Sequence, residues 1–105
     1  PIESLAAVFA SHSNVHAVGI NCTPPQFVPE LVRRVRMAIP GIAVLAYPNS
    51  GETWHHESAT WLGTATPLDY ASAAKSWVEA GAKLVGGCCR TGPQHIKAMR
   101  AALQE

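Results

Sequence analysis

Three cysteines are the residues of this chain with the most distinctive chemistry, and each of them follows an apolar run. Cys88 and Cys89 are neighbours that come directly after Gly86 and Gly87, and Cys22 stands just past another apolar run. Side chains of neighbouring residues on a strand point to opposite faces of the sheet. Both neighbouring thiols can face one point only if the backbone leaves strand geometry, and we expect the two glycines to allow this.

Three thiolates supply three corners of the tetrahedron that Zn²⁺ prefers, and a catalytic zinc site keeps its fourth position open. The spacing alone is weak evidence, because zinc fingers present their ligands as close pairs, and ordinary core or reactive cysteines are the alternative. The position of all three cysteines at strand ends favours a metal. We therefore predict that Cys22, Cys88 and Cys89 bind one Zn²⁺ ion.

The charge of such a centre narrows the reaction that it can support. Zn²⁺ with three thiolates is formally anionic, so it is a weak activator of water and is better suited to hold a fourth sulfur. A free thiol has a pKa near 8.5, and coordination to zinc removes its proton. The predicted reaction is the direct alkylation of a substrate thiol by an activated methyl donor that is held in line with it.

The elements that must position these thiols are helices and buried strands in alternation. Apolar spacing predicts a helix from residue 2 to residue 11, and the short apolar run Val15–Ile20 predicts a strand. Thr23 and the prolines after it predict the start of a second helix, which Pro40 and Gly41 end. The run Ile42–Tyr47 predicts the second strand.

The second half of the chain continues the same alternation after a long connection. Residues 48–63 are expected to form a long loop, which is often functional in a compact domain. A third helix is predicted from Thr66 to Gly81, followed by a third strand over 82–86 and a last helix with a capping box of Thr91 and Gln94. The residues of the third helix that we expect to face inward are Leu68, Ala71, Ala74, Trp77 and Val78.

A leading helix followed by three strand–helix units indicates an α/β fold with a parallel sheet. A complete (β/α)₈ TIM barrel needs eight such units in about 250 residues. We therefore expect residues 1–105 to be the C-terminal segment of a barrel domain, beginning near its fifth helix. The missing N-terminal part, or a self-associated partner, would cover the open sheet edges. A small open α/β domain is the alternative.

Composition excludes several other classes of protein. The formal net charge is +1, which argues against a nucleic-acid-binding surface, and no apolar run is long enough for a membrane helix. Three cysteines make an odd number, and neighbouring cysteines are too close to pair without strain. Reduced thiols, and therefore a cytoplasmic protein, are expected.

Three separated motifs resemble those of the homocysteine S-methyltransferase family. They are Gly19-Ile20-Asn21-Cys22-Thr23, Tyr47-Pro48-Asn49-Ser50-Gly51-Glu52 and Gly86-Gly87-Cys88-Cys89-Arg90-Thr91. The resemblance implies a zinc barrel that makes methionine from homocysteine, with the three cysteines as ligands. The middle motif is most similar to the branch that uses S-methylmethionine, with S-adenosylmethionine as a second donor. A related enzyme that uses betaine or a methylfolate, and a non-catalytic or thiol-redox module without metal, are the alternatives.

Several polar residues at the strand ends are candidates for binding the substrates. Glu52 could face the positive sulfonium of a methyl donor, although a tight turn with an exposed carboxylate would give the same pattern. Side-by-side His55 and His56 are more often solvated groups than zinc ligands, and neither they nor Arg90 receive a role. The predicted substrate-binding residues are Asn21, Tyr47, Asn49, Ser50 and Glu52.

Overall fold

The computed structural model describes residues 1–62 and 66–104, and residues 61 and 62 as backbone only. The expected order of a leading helix and three strand–helix units is confirmed. The elements, including two short 3₁₀ turns, are Ile2–Ser4 (3₁₀), Leu5–Ala10 (α1), Ala17–Asn21 (β1), Pro25–Phe27 (3₁₀), Val28–Ala38 (α2), Ala43–Tyr47 (β2), Thr53–His55 (β3), Thr60–Leu62 (β4), Pro67–Ala80 (α3), Leu84–Val85 (β5) and Pro93–Leu103 (α4). The fold is mixed α/β.

Strands β1, β2 and β5 form a parallel sheet in that order. Residues that are paired across a parallel sheet share a face, and two adjacent rows of this sheet differ sharply in exposure. The row Ile20, Ala46 and Val85 lies under the helices, and Ala46 has no exposed surface. The next row is Gly19, Leu45 and Leu84, and Leu84 is 58% exposed. One sheet face is thus packed and the other is partly open.

The helices supply the core against the packed face of the sheet. Val28, Val32 and Val35 of α2 and Ala74 and Trp77 of α3 are almost completely buried. The expectation that Leu68 and Val78 face inward is wrong, because they are 75% and 42% exposed. The buried side of α3 is centred on Tyr70, Ala74 and Trp77. It is therefore rotated around the helix axis relative to the predicted apolar stripe, and it includes the phenol of Tyr70.

Of three threonines expected to cap helices, only Thr66 does so, since its hydroxyl accepts a hydrogen bond from Asp69 N at 3.1 Å. The capping roles predicted for Thr23 and Thr91 are wrong. Their hydroxyls instead donate to the carbonyl oxygens of Asn21 and Cys88, at 3.0 and 2.7 Å. Helix α4 is capped by His95, whose Nδ1 accepts from Gly92 N at 3.0 Å, so Gln94 has no part in the predicted capping box.

The connection predicted as a loop over residues 48–63 contains an antiparallel hairpin of β3 and β4. Thr53 pairs with Leu62 and His55 with Thr60, around a four-residue turn at 56–59. Threonine and tryptophan on both arms favour extended backbone, which explains the strands. The end of the predicted loop, at Gly63, lies outside the described residues. Within the described chain, no helix is long and apolar enough to cross a membrane.

Candidate metal centre

The three cysteines meet at the carboxyl end of the parallel sheet. The Sγ atoms of Cys22, Cys88 and Cys89 all lie within 4.8 Å of one another, and no disulfide joins them. Thiolates at about 2.3 Å from a tetrahedral Zn²⁺ ion would be about 3.8 Å apart. The sulfurs therefore need to approach one another by at most about 1 Å to share an ion.

Cys22 reaches the site because the chain turns sharply at the end of β1. Its backbone N–H donates to Tyr47 O at 3.1 Å and extends the pairing of β1 with β2 by one residue. Its φ is +47°, in the left-handed region that residues with a Cβ atom seldom adopt. Arg90, directly after the cysteine pair, has φ +65°. Left-handed backbone at non-glycine residues is common at functional sites, where the surrounding structure enforces it.

The absence of a side chain at Gly87 allows Thr91 to pack closely against the loop of the cysteine pair. Neither Gly86 nor Gly87 has a positive φ, so the expected use of unusual glycine dihedrals is not what turns the chain. A Cβ atom added at Gly87 would overlap Thr91 Oγ1 and lie 2.9 Å from Thr91 Cβ. Thr91 in turn closes the loop, because both its N–H and its hydroxyl donate to Cys88 O, at 3.1 and 2.7 Å.

Residues 48–50, here called the bridging segment, join the loop of Cys22 to the loop of the cysteine pair. On one side, Pro48 O accepts from Cys88 N at 3.1 Å and Ser50 N donates to Cys89 O at 3.0 Å. On the other side, the Asn49 side-chain amide donates to Cys22 O at 3.2 Å. The relative placement of all three thiols is therefore set by one short segment at the end of β2.

The polar atoms of Asn49 and Ser50 are already used within this network. Asn49 Oδ1 accepts from Gly51 N at 2.8 Å, and Asn49 Nδ2 binds the loop of Cys22. Ser50 is 3% exposed and its hydroxyl lies 3.2 Å from a Glu52 carboxylate oxygen. The Asn49 side chain thus holds the loop of Cys22, whereas the Ser50 side chain contacts Glu52 and only its backbone N–H reaches the cysteine pair. The predicted contact of both side chains with substrate stays a prediction.

Two other predicted site residues, Asn21 and Tyr47, lie at the ends of β1 and β2, and Asn21 contacts a thiol. Asn21 Nδ2 donates to Cys88 Sγ at 3.6 Å, across 67 positions of sequence. Such a hydrogen bond orients the sulfur and stabilises its thiolate form. The Tyr47 ring lies across Gly19 on the open sheet face. A Cβ atom added at Gly19 would be 2.7 Å from Tyr47 Cε1. Tyr47 thus borders the open face below the site.

Glu52 and Arg90 pair with each other near the site, whereas His55 and His56 lie in the hairpin. Glu52 is 3.4 Å from Arg90, and the carboxylate is the more buried of the two. His55 Nδ1 lies 2.8 Å from the Ser58 hydroxyl within the hairpin turn, and His56 is exposed. In the described part of the chain, the three cysteines are the one group of three or more His, Cys, Asp and Glu side chains close enough to hold an ion.

The pKa values of Cys22 and Cys89 are shifted in opposite directions. The pKa of Cys22 is lowered, first by the backbone N–H of Cys89 and then by the thiols of Cys88 and Cys89. Hydrogen bonds to the sulfurs of Cys22 and then Cys88, followed by the charges of the same two groups, raise the pKa of Cys89 to about 11. Deprotonation is therefore favoured at Cys22 and opposed at Cys89, where the charge of a neighbouring thiolate repels a second one. A divalent cation would offset this repulsion, so the residues present fit a thiolate-bound metal.

Tyr70 is a site residue that sequence reasoning missed. It lies in α3, and its hydroxyl is 2.7 Å from Pro48 O and 2.9 Å from Gly86 O, behind the thiols. An aromatic residue in a helix gives no sequence signal for such a contact. Its spacing of seven residues from the buried Trp77 could have placed it on the inward side.

Known proteins resemble this chain over most of its length. A family model described as homocysteine S-methyltransferase matches residues 1–103. The homocysteine S-methyltransferase YbgG of Bacillus subtilis is 40% identical over 101 residues, covering 96% of this chain and 32% of that protein. Homocysteine S-methyltransferase 1 of Arabidopsis thaliana is 43% identical over 94 residues, covering 88% of this chain and 28% of that protein.

The chain thus spans about a third of the length of these relatives. A further relative, an uncharacterised protein of Saccharomyces cerevisiae, has a similar extent. It is 37% identical over 93 residues, which cover 88% of this chain and 89% of that protein.

Proposed function

The chain belongs to the homocysteine S-methyltransferase family, and we propose that it is the zinc-binding, C-terminal third of an enzyme that methylates the thiol of homocysteine. The observation that carries the proposal is the convergence of three sulfurs within 4.8 Å at the carboxyl end of a parallel sheet. Active sites of α/β barrels lie at that end of the strands. Three thiolates and one open position suit a substrate that is itself a thiol.

Cys22, Cys88 and Cys89 are the proposed ligands of Zn²⁺. Once bound, the ion supplies a Lewis-acidic fourth position that holds a thiol sulfur in its deprotonated, nucleophilic form. The chain itself contributes the placement of the ligands. The bridging segment fixes the three sulfurs, and the Asn21 amide orients Cys88 Sγ at 3.6 Å.

The proposed methyl donor is a sulfonium, S-methylmethionine or S-adenosylmethionine. The substrate sulfur attacks the methyl carbon, a new S–CH₃ bond forms, and the bond from that carbon to the donor sulfur breaks with its electron pair. The donor leaves as a neutral thioether, methionine is formed, and the thiol proton goes to solvent. Glu52, whose side chain is 15% exposed, is the proposed carboxylate that faces the positive donor, and Tyr47 is a further proposed substrate-binding residue.

We also propose that residues 1–105 form part of a (β/α)₈ barrel. A parallel sheet is normally covered on both faces, whereas the row Gly19, Leu45 and Leu84 is partly open here. Strands β1 and β5 are sheet edges, and a groove of about 690 Å³ lies beside Cys88 and α4. The N-terminal part of the barrel would cover this face and these edges, with a second copy of the chain as the alternative.

No described contact distinguishes the sulfonium donors from betaine or a methylfolate, so the choice of donor rests on the resemblance of the middle motif. In the metal-free alternative, the three thiols bind no metal ion. A cytoplasmic location is proposed because all three cysteines are free.

Metal analysis of the chain, purified under reducing conditions, tests the proposal. We expect about one zinc per chain, lost on alkylation of the thiols and in Cys89→Ala, but retained in His56→Ala, whose side chain is exposed. Methylation of homocysteine by S-methylmethionine should depend on the same zinc in the protein that holds the complete barrel. A chain that binds no zinc, or a Cys89→Ala variant with full zinc and full activity, would overturn the assignment.

A further inference from the structure

We propose that Tyr70 is a positioning residue whose buried hydroxyl holds the cysteine loops at the separation that a bound zinc ion requires. The inference rests on the proposed zinc site and deepens it. Tyr70 belongs to α3, on the helical layer. It acts through backbone carbonyls at the ends of β2 and β5.

The hydroxyl of Tyr70 joins two of the strand ends that build the site. It lies 2.7 Å from Pro48 O and 2.9 Å from Gly86 O, so its single proton is shared between the two carbonyls. Pro48 O also accepts from Cys88 N at 3.1 Å. The same carbonyl therefore receives Tyr70 from the helical side and the first cysteine of the pair from the site.

The two residues that accept hydrogen bonds from Tyr70 are linked to the loop of Cys22 and to the loop of the cysteine pair. Pro48 begins the bridging segment, whose next residue, Asn49, donates to Cys22 O at 3.2 Å. Gly86 stands two residues before Cys88 and donates its N–H to Ala46 O at 2.9 Å. A change at the hydroxyl would therefore alter the spacing between the lone thiol and the paired thiols.

The surroundings of Tyr70 keep its hydroxyl in place and protonated. Tyr70 is 3% exposed, and its ring packs edge-on against Trp77 and His95, with centroid distances of 5.1 and 5.3 Å. Burial, followed by the nearby Cys88 and Cys22 charges, raises the pKa of Tyr70 well above its usual range. Burial therefore favours the neutral phenol, which is the form that donates a hydrogen bond.

The variant Tyr70→Phe removes the hydroxyl and keeps the ring. Side chains that orient metal ligands typically change metal affinity by about 10- to 100-fold when removed. We expect a loss of this size in zinc affinity, measured by competition with a chromophoric chelator on the reduced chain. With Co²⁺ in place of zinc, the ligand-field and thiolate-to-metal absorption bands should weaken or shift, because the sulfurs no longer match a tetrahedron.

Two controls separate the hydroxyl from packing and from α3 in general. Trp77→Phe loosens the same ring cluster but keeps the Tyr70 hydroxyl, and Ser76→Ala removes a side-chain hydrogen bond to Ala73 O within the helix. Both should retain wild-type zinc affinity and the wild-type Co²⁺ spectrum, with folding checked by circular dichroism.

The outcomes distinguish the inference from the function on which it rests. Weaker zinc binding in Tyr70→Phe alone supports the positioning role. Zinc affinity and a Co²⁺ spectrum equal to wild type in Tyr70→Phe would overturn it while leaving the zinc site intact. Equal weakening in Trp77→Phe would also overturn it, since packing would then account for the effect. A wild-type chain that binds neither metal would overturn the proposed zinc site itself.

Discussion

Replacing the two neighbouring glycines before the cysteine pair should have very different effects. A Cβ atom at Gly87 would overlap Thr91 Oγ1 and lie 2.9 Å from Thr91 Cβ, whereas one at Gly86 would meet only Tyr47 Cβ, at an ordinary 3.8 Å. Neither glycine has a positive φ, so strain of that kind does not separate them. The comparison of Gly87→Ala with Gly86→Ala therefore isolates close approach.

The cost of Gly87→Ala can be worked from the contacts that must move. Thr91 has to shift, and its hydroxyl then loses the 2.7 Å hydrogen bond to Cys88 O, worth about 1 kcal/mol. Relieving the overlap costs about a further 1–3 kcal/mol, as for other additions to packed sites. The free energy of unfolding should fall by about 2–4 kcal/mol, against less than about 0.5 kcal/mol for Gly86→Ala.

Urea unfolding of the two variants, with zinc affinity measured alongside, is the assay. Thr91→Ala removes the overlapping atom, so Gly87→Ala should cost less in that background than in the wild-type chain, and a double-mutant cycle measures the difference. Zinc binding should weaken with Gly87→Ala because the loop from Cys88 to Thr91 must reopen. Equal costs for the two glycines, or no coupling between Gly87 and Thr91, would refute this account of the turn.

Two further predictions concern charged side chains. Glu52→Gln removes the negative charge 3.4 Å from Arg90 and should raise the KM for a sulfonium donor while leaving that for homocysteine unchanged; a change confined to homocysteine would contradict the proposed role. Arg34 holds the pKa of Glu3 down to about 2, so the stability from this pair is present above about pH 4.5 and is lost as pH falls toward 2. Between these pH values, wild type should lose more stability than Glu3→Gln in acid-unfolding curves, and parallel curves would show that the pair contributes nothing.

The convergence of the thiols could be predicted because it depends on general rules. Buried strands that alternate with helices run parallel, and their carboxyl ends lie at one end of the sheet, so residues just past β1 and β5 must lie at that same end. The structure places β2 between them. The period of two along a strand also predicted that the pair Cys88 and Cys89 needs irregular backbone. The rules identify the location of the site without its detailed geometry.

The caps show where local patterns fail. Thr66 and Thr23 are each followed by proline, yet only Thr66 caps its helix. The hydroxyls of Thr23 and Thr91 bind carbonyl oxygens of the cysteine loops instead. Both carbonyls are local, two and three residues before the threonine, so the hydroxyl has two nearby partners and the backbone turn after the strand decides which one it binds. Tyr70 was missed for a different reason, because its partners lie 22 and 16 residues away and only the tertiary structure brings them together.

The placement of the thiols and the binding of substrate have different requirements in this chain. Every hydrogen bond described above that holds Cys22, Cys88 and Cys89 in place comes from residues between Asn21 and Thr91. The sheet face beside Tyr47, by contrast, is partly open in the described residues, since Leu84 on the same face is 58% exposed. Metal binding should therefore be a property of this chain itself, whereas methyl transfer should require the elements that close the open face, since in-line transfer needs both reactants held in a fixed orientation.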